Sequence, residues 1–415
     1  MKKKIFVRGP VLSQSGYGEQ SRFALRALKS REDLFDIYVQ PVPWGQTGWV
    51  WEESEFREWL DSKITVTQIL MQQKQLQPDV SLQIGIPNEF QKICPVNIGY
   101  TAGIETTKVA PQWLQKGNEE MDKILVVSNH AKTTYENTVV QATNQQTGET
   151  FPYKLDTPIE VVWETTPRVE SEPINEINLE YDNNFLMISQ MGPRKNFTNA
   201  IKWWVEEFID QEVGLIIKTN IKCNSIIDWE HLQIQMKNIL ATYTDRKCKV
   251  YVLHGDLSAG QMTWLYNHNK IKALVNIAHG EGFGLPLFEA AREALPIVTI
   301  GWSGQMDFLN HDGKDYFESV DYTLQPVQEQ AVWDGVIQKE SMWAYADQGS
   351  YKMTLRRTLK NWSKIKERAE ALSTIINEKF DEEKLFAGFV DAVYGEEVNI
   401  DSWLEELENE MVTSD

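Results

Sequence analysis

Glu281 and Glu289 stand with seven residues between them, in the run from Asn276 to Ala291 that also carries His279, Gly280, Gly282, Phe283, Gly284, Leu285 and Pro286. A strand pattern ends there, a glycine-rich turn follows, and a helix opens with Pro286 in its first turn. Glycines let a backbone approach a ligand closely, and the free amides of a helix start favour phosphate. One acid sits before the loop and the other about a turn into the helix, so the two are placed to bracket a ligand lying across the helix start. Two solvated acids beside an ordinary tight turn satisfy the same spacing.

A second cluster is cationic. Arg194 and Lys195 follow Met187 to Gly192 and Pro193, where a strand runs through a proline turn into a helix. Adjacent cations at the carboxyl end of a strand suit a phosphate, although an isolated Arg-Lys pair is more often a solvated surface feature. Near the start, Gly16, Tyr17 and Gly18 open a helix after the first strand. Ser21 stands where a dinucleotide fingerprint would place its third glycine, so a plain tight turn serves as well as a ligand loop. Glu105 lies in the turn after another strand, and His130 begins the helix after the next.

These residues sit in a regular frame. Apolar runs at Ile5 to Val7, Phe35 to Val39, Val80 to Ile86, Asn97 to Ala102 and Ile124 to Val127 alternate with amphipathic segments such as Glu19 to Lys29 and Pro111 to Met121. That rhythm predicts a parallel sheet covered by helices on both faces. Gln141 to Thr150 is polar and aperiodic and reads as a surface loop before a strand at Ile159 to Trp163. After a polar stretch from Glu164 to Asn184 the rhythm restarts. Strands are expected at 185–189, 213–219, 250–253, 273–277 and 296–300, with helices between them and further helical patterning over 351–380 and 381–394. The reading is an α/β chain of two Rossmann-like βαβ domains, 1–165 and 185–380, joined by a hinge at 166–184. A C-terminal helix and acidic tail follow at 381–415, with a short amphipathic stretch around Trp403 and Leu404.

The combination resembles the family 4 retaining glycosyltransferases, which have the GT-B fold of two such domains facing across a cleft. That family carries an element written EGFGLPxLEA at this place, and the run from Glu281 to Ala290 matches it except at Phe288. The resemblance implies that Glu281 contacts hydroxyls of a donor sugar, that Glu289 contacts ribose hydroxyls, and that backbone around Gly282, Phe283, Gly284 and Leu285 lies at the pyrophosphate and sugar. It places Lys195 on the donor phosphates. Gln190 stands where an arginine is common, and Arg194 is expected to supply that charge. Gly16, Tyr17 and Gly18 would face the cleft, with Glu105 the nearest acid or base in the sugar pocket. His254 to Ser258 resembles the element near the nucleotide base, although Asp256 and Ser258 serve equally as helix caps. Gly301 to Asp307 takes the place of another family loop, with Asp307 for its glutamate.

The expected activity is transfer of a sugar from a nucleoside-diphosphate sugar to a glycan or glycoconjugate acceptor, with retention at the anomeric carbon. No cofactor is expected beyond that substrate. No Asp-x-Asp occurs in the chain, which argues against the metal-dependent sugar transferases, so no metal site is predicted. A nucleotide-sugar epimerase of the same fold and a non-catalytic binding scaffold remain the rival readings.

Composition bounds these expectations. The 415 residues exceed the size at which one core keeps growing, and 15 Trp, 14 Tyr and 16 Phe exclude a disordered chain. The net charge of −19 is uneven: residues 1–165 hold 17 Lys and Arg against 20 Asp and Glu, so most of the excess lies beyond them. Such a field disfavours an extended nucleic-acid backbone while leaving room for a small anion held by a few cations. Three scattered cysteines point to a reducing compartment, and Ile5 to Val7 behind the lysines of the start are too short for a signal sequence. A cytoplasmic protein with at most peripheral membrane contact is expected.

Overall fold

A computed structural model describes residues 2–144 and 146–395. Its first half runs β1 (Lys3–Gly9), α1 (Gly16–Lys29), β2 (Phe35–Pro41), α2 (Glu55–Gln72), β3 (Val80–Ile84), β4 (Val96–Thr101), α3 (Pro111–Glu120), β5 (Lys123–Val126), α4 (Asn129–Asn137), β6 (Val140–Thr143), β7 (Thr150–Tyr153) and β8 (Ile159–Val161). Six of these strands form one parallel sheet in the order β2-β1-β3-β4-β5-β8. Its centre is apolar on both faces, as a parallel sheet between helices requires: Val7 lies opposite Val39 on one side and Leu82 on the other. Helix starts are marked by caps, Ser15 accepting from the Gly18 amide, Ser54 from Arg57 and Ser128 from Ala131.

The second half repeats the plan with β9 (Asn184–Ile188), α5 (Phe197–Phe208), β10 (Gly214–Lys218), α6 (Ile226–Leu240), β11 (Lys249–Leu253), α7 (Ala259–Asn267), β12 (Ile271–Asn276), α8 (Leu285–Arg292), β13 (Ile297–Ile300), α9 (Met306–Leu309), the short β14 (Asn310–His311) and β15 (Lys314–Asp315), and β16 (Glu318–Val320). The parallel sheet has the order β11-β10-β9-β12-β13-β16. Chain direction along the sheet reverses between β9 and β12. In open α/β sheets the crevice at the carboxyl ends of the strands flanking that reversal is where ligands bind.

An antiparallel hairpin, β17 (Tyr322–Pro326) and β18 (Met342–Ala346), precedes α10 (Gln348–Lys360), α11 (Trp362–Lys379) and α12 (Glu382–Tyr394). The last helix crosses back to the first sheet's unit. Phe389 meets Phe23 edge-on with ring centres 5.6 Å apart and tilts against Tyr100 at 5.4 Å. Such aromatic pairs contribute roughly 0.5–1.5 kcal/mol each beyond their burial. The hairpin's connecting segment, 327–341, straps the two units together. Val336 is buried among Phe90, Trp113 and their neighbours, and Asn88 Nδ2 donates to the Gly335 carbonyl at 3.0 Å.

One expectation is corrected. Gln141 to Thr150 is not all loop: its ends are arms of the hairpin β6/β7, with Thr143 opposite Thr150. Its side chains are mostly exposed on both faces, so no apolar alternation announced it. The helical stretch 351–380 also divides, because the chain breaks at Asn361 between α10 and α11. The acidic tail with Trp403 and Leu404 lies outside the described residues. Among the described residues no helix is long and apolar enough to cross a membrane.

Candidate active site

The reversal between β9 and β12 brings the acidic and cationic motifs together. After β9 the chain makes a 3-10 turn over Pro193–Lys195, and Asn196 takes a left-handed conformation (φ 49°) before α5. After β12 it makes the glycine turn that ends at Gly284 (φ +98°), the residue preceding α8. The two turns are fastened to each other: the His279 amide donates to the Arg194 carbonyl at 2.8 Å, and Asn196 Nδ2 to the Ile277 carbonyl at 3.3 Å.

Glu281 is the centre of this junction. Its carboxylate receives Lys195 Nζ at 2.7 Å on both oxygens, Arg194 Nη1 at 3.0 Å and Asn276 Nδ2 at 2.9 Å, while its backbone amide donates to Ser303 Oγ at 2.9 Å. Burial opposes ionisation here, but Lys195 and Arg194 outweigh it and hold the Glu281 carboxyl down at about 2. Burial and the neighbouring Arg194 lower Lys195, whereas Glu105 and Glu281 raise Arg194 against its own burial. Arg194 also reaches the first unit, with Nη1 3.2 Å from Glu105 Oε1. Two cations and two carboxylates therefore share one junction.

Close backbone approach is what the glycines permit. A Cβ on Gly280 would lie 2.6 Å from the Glu105 carbonyl oxygen, and one on Gly282 would lie 2.8 Å from that of Ala102. The turn between Phe283 and Leu285 sits at the start of α8, and Phe283 itself is buried against Phe288 and Phe308.

Glu289 points elsewhere: its Oε2 accepts from Tyr266 Oη at 2.8 Å, and burial raises its pKa despite that bond. On the facing unit Gly18 packs so tightly that a Cβ would meet the Ser13 carbonyl oxygen at 1.9 Å, whereas Gly16 has open space. Tyr17 Oη bonds Thr101 Oγ1 at 2.9 Å and accepts from the Ala102 amide at 3.3 Å, and its ring lies 4.4 Å from that of Trp44. Burial raises its phenol well above the ordinary range. Of the three, Tyr17 alone is thereby fixed to Thr101 and Ala102, at the start of the turn that carries Glu105.

Other expected residues take structural parts. Ser258 caps α7 in a reciprocal box with Gln261, and Asp256 accepts from Asn224. Gln190 donates to the Ile221 carbonyl at 2.9 Å. Asp307 ties the two units, accepting from the Asn129 amide at 2.8 Å, Asn129 Nδ2 at 3.0 Å and Trp163 Nε1 at 2.8 Å. His279 is buried, donates from Nδ1 to the Ala344 carbonyl at 2.6 Å and stacks on Trp343. His130 lies against Trp302 with burial pushing its pKa down to about 4.

Sequence reasoning missed Glu164. It opens the polar stretch that runs to Asn184, yet it is 5% exposed, its Oε2 has no partner among the described residues, and burial followed by Glu19 pushes it up to about 8. A lone acid in a polar stretch gives no local signal of this. Among the described residues no group of three or more His, Cys, Asp or Glu is placed to hold a metal ion.

No protein-family model and no curated protein matches the chain. Solved structures do. HepE of Anabaena in complex with UDP-glucose superposes with a TM-score of 0.58 at 11% identity, over 94% of this chain and 99% of that one. A glycosyltransferase from Rickettsia africae gives 0.57 at 12% identity, over 94% and 98%. The lipopolysaccharide outer core galactosyltransferase WaaB gives 0.54 at 12% identity, over 94% and 99%. Identities this low speak for architecture alone, and with the two sheets facing across one cleft they establish that the chain has the GT-B fold.

Proposed function

We propose that the protein is a metal-independent glycosyltransferase that moves a hexose from a nucleoside-diphosphate sugar to a glycan or glycoconjugate acceptor with retention at the anomeric carbon. The observation that carries this reading is the convergence of Arg194, Lys195 and Glu281 at the reversal of the second sheet, beside the start of α8 and facing Glu105. UDP-glucose is the first donor to try, because the Anabaena neighbour was solved with it.

In this reading the diphosphate lies on Arg194, Lys195 and the amides of Phe283 to Leu285, displacing Glu105 from Arg194. Glu281 holds both cations and offers its oxygens to sugar hydroxyls, and Glu289 takes the ribose. The bond from the anomeric carbon to the diphosphate oxygen breaks, and a bond to the acceptor oxygen forms. Negative charge grows on the departing diphosphate, where fixed cations and amides stabilise it. The acceptor's hydroxyl proton passes to Glu105. Family resemblance, rather than distance, supports retention, and the cytoplasm is the compartment that fits such a donor.

The test is thermal protection by a panel of nucleotide sugars, followed by product analysis with and without added saccharides. A transferase is stabilised by one of them and releases the nucleoside diphosphate faster when acceptor is present. Protection by none of them overturns the reading; conversion of the sugar without acceptor replaces it with epimerisation.

A further inference from the structure

Among the described residues the four most exposed large apolar side chains are Trp51 (86%), Ile226 (78%), Trp49 (66%) and Ile227 (65%). They are not scattered. Trp49 and Trp51 lie in the turn after β2, and Ile226 and Ile227 form the first turn of α6. The turn after β2 is stitched to the segment before α1: Ser13 and Trp49 form an antiparallel bridge, the Gln14 amide donates to the Gly48 carbonyl at 2.9 Å, and the Val50 amide to that of Leu12 at 2.8 Å. Gln14 Oε1 then approaches Asn224 Nδ2 of the second unit to 3.5 Å, and Asn224 immediately precedes Ser225, the cap of α6. The two apolar pairs therefore flank one contact between the units, Gln14 with Asn224, as two lips beside it.

Single exposed apolar groups need no explanation, but the four most exposed gathered about one contact between the units mark a contact surface. What lies between them selects the occupant. The part-exposed hydroxyls of Thr47 and Ser15 are held by the buried Ser13 Oγ at 2.6 and 2.9 Å, and Asn224 bonds the exposed carboxylate of Asp256. Hydroxyls, an amide and a carboxylate beside flat indole faces suit a molecule that offers both C–H surfaces and hydroxyl groups. The flanking exposed charge is mainly negative, Glu52, Glu53 and Asp256 against Lys222, on a chain of net charge −19. An anionic bilayer or polyanion would be repelled by it.

We propose that this lip binds a neutral, extended saccharide acceptor, with sugar rings stacked on Trp49 and Trp51 and the reacting end entering the cleft past Gln14 and Asn224. The proposal rests on the glycosyl-transfer reading above and adds the class of acceptor and the residues that hold it.

The test uses the full chain, neutral linear hexasaccharides of glucose, galactose, mannose and N-acetylglucosamine, and UDP as an independent probe of the donor site. One hexasaccharide binds the wild type, the double variant Trp49→Ala/Trp51→Ala binds it about tenfold more weakly or worse, and Trp51→Tyr keeps most of the affinity. UDP binds all of them alike, which also reports that the variants are folded. If UDP binds but no hexasaccharide does, the lip proposal is overturned and the donor reading stands. If a hexasaccharide binds and UDP does not, the donor reading falls and the lip stands as a saccharide surface. Binding to phosphatidylcholine or phosphatidylglycerol vesicles that the double variant loses, with no saccharide bound, overturns the proposal in favour of a lipid surface.

Discussion

Arg194 Nη1 lies 3.0 Å from Glu281 Oε2 within its own unit and 3.2 Å from Glu105 Oε1 across the cleft. One cation thus links the two halves while sharing its charge between two acids. An incoming phosphate must compete with both carboxylates for that nitrogen.

Removing the competitor strengthens the anion. Glu105→Gln leaves Arg194 with a single anionic partner, so UDP binds more tightly, by about three- to tenfold at low salt, and the gain shrinks as ionic strength rises. Turnover with acceptor falls in the same variant, because the acceptor proton loses its destination. Calorimetry and steady-state rates check the two halves separately. Unchanged or weaker UDP binding means that Arg194 does not meet the phosphate.

Glu281→Gln and Glu289→Gln part in opposite directions. Glu281 balances two largely buried cations, so its amide leaves UDP affinity equal or higher while transfer collapses. It also lowers the melting temperature, since removing one partner of a buried ionic cluster costs roughly 3–5 kcal/mol. Glu289, bonded to Tyr266 and assigned to the ribose, weakens UDP by about tenfold when made an amide, an effect of about 1.4 kcal/mol. The same titrations decide it: UDP affinity lost at Glu281 and kept at Glu289 reverses the two assignments.

Much of this site was legible before any coordinates. Buried parallel strands are apolar on both faces, so runs such as Val80 to Ile86, of which Val80–Ile84 is strand, announce themselves, and the order of turns along the chain already placed Arg194, Lys195 and Glu281 at strand ends. That Glu281 would bond both cations, 87 and 86 positions away, was not legible, because strand order in the sheet, rather than sequence distance, joins β9 to β12. The strap at 327–341 escaped notice for a related reason: Val336 finds its apolar partners in the other unit, so the segment carries no periodicity of its own. Lips built from Trp49, Trp51, Ile226 and Ile227 likewise exist only once Gln14 meets Asn224.

Gly304 is the tightest point behind the double-acid turn. A Cβ there would lie 1.8 Å from the Gly282 carbonyl oxygen and 2.8 Å from that of Glu281, both rigid backbone atoms. Gly304→Ala must therefore push the turn away from Ser303 and out of register with Arg194 and Lys195. The expected result is a lower melting temperature together with a loss of UDP affinity of more than tenfold, whereas Gly192→Ala, where a Cβ meets nothing within 4 Å, changes neither. Equal behaviour of the two variants would show that the turn's backbone position is immaterial to the nucleotide.

Glu164 makes stability depend on pH. Its carboxyl is raised to about 8 in the folded chain, first by burial and then by Glu19, with Arg26 opposing. The unfolded value lies near 4.3, so folding takes up a proton between the two. A carboxyl whose folded value is raised gives full stability below the unfolded value and loses it as pH climbs through the window from about 4 to 8. Glu164→Gln removes the proton uptake while keeping the shape. Its melting temperature should match the wild type near pH 4 and exceed it at pH 8, where the buried acid costs on the order of 5 kcal/mol. Denaturant titrations of both proteins across that range read the difference directly. A constant offset at every pH would mean that Glu164 titrates alike in the folded and unfolded chain, and a loss that grows with pH would mean that it is ionised and paired in the folded state.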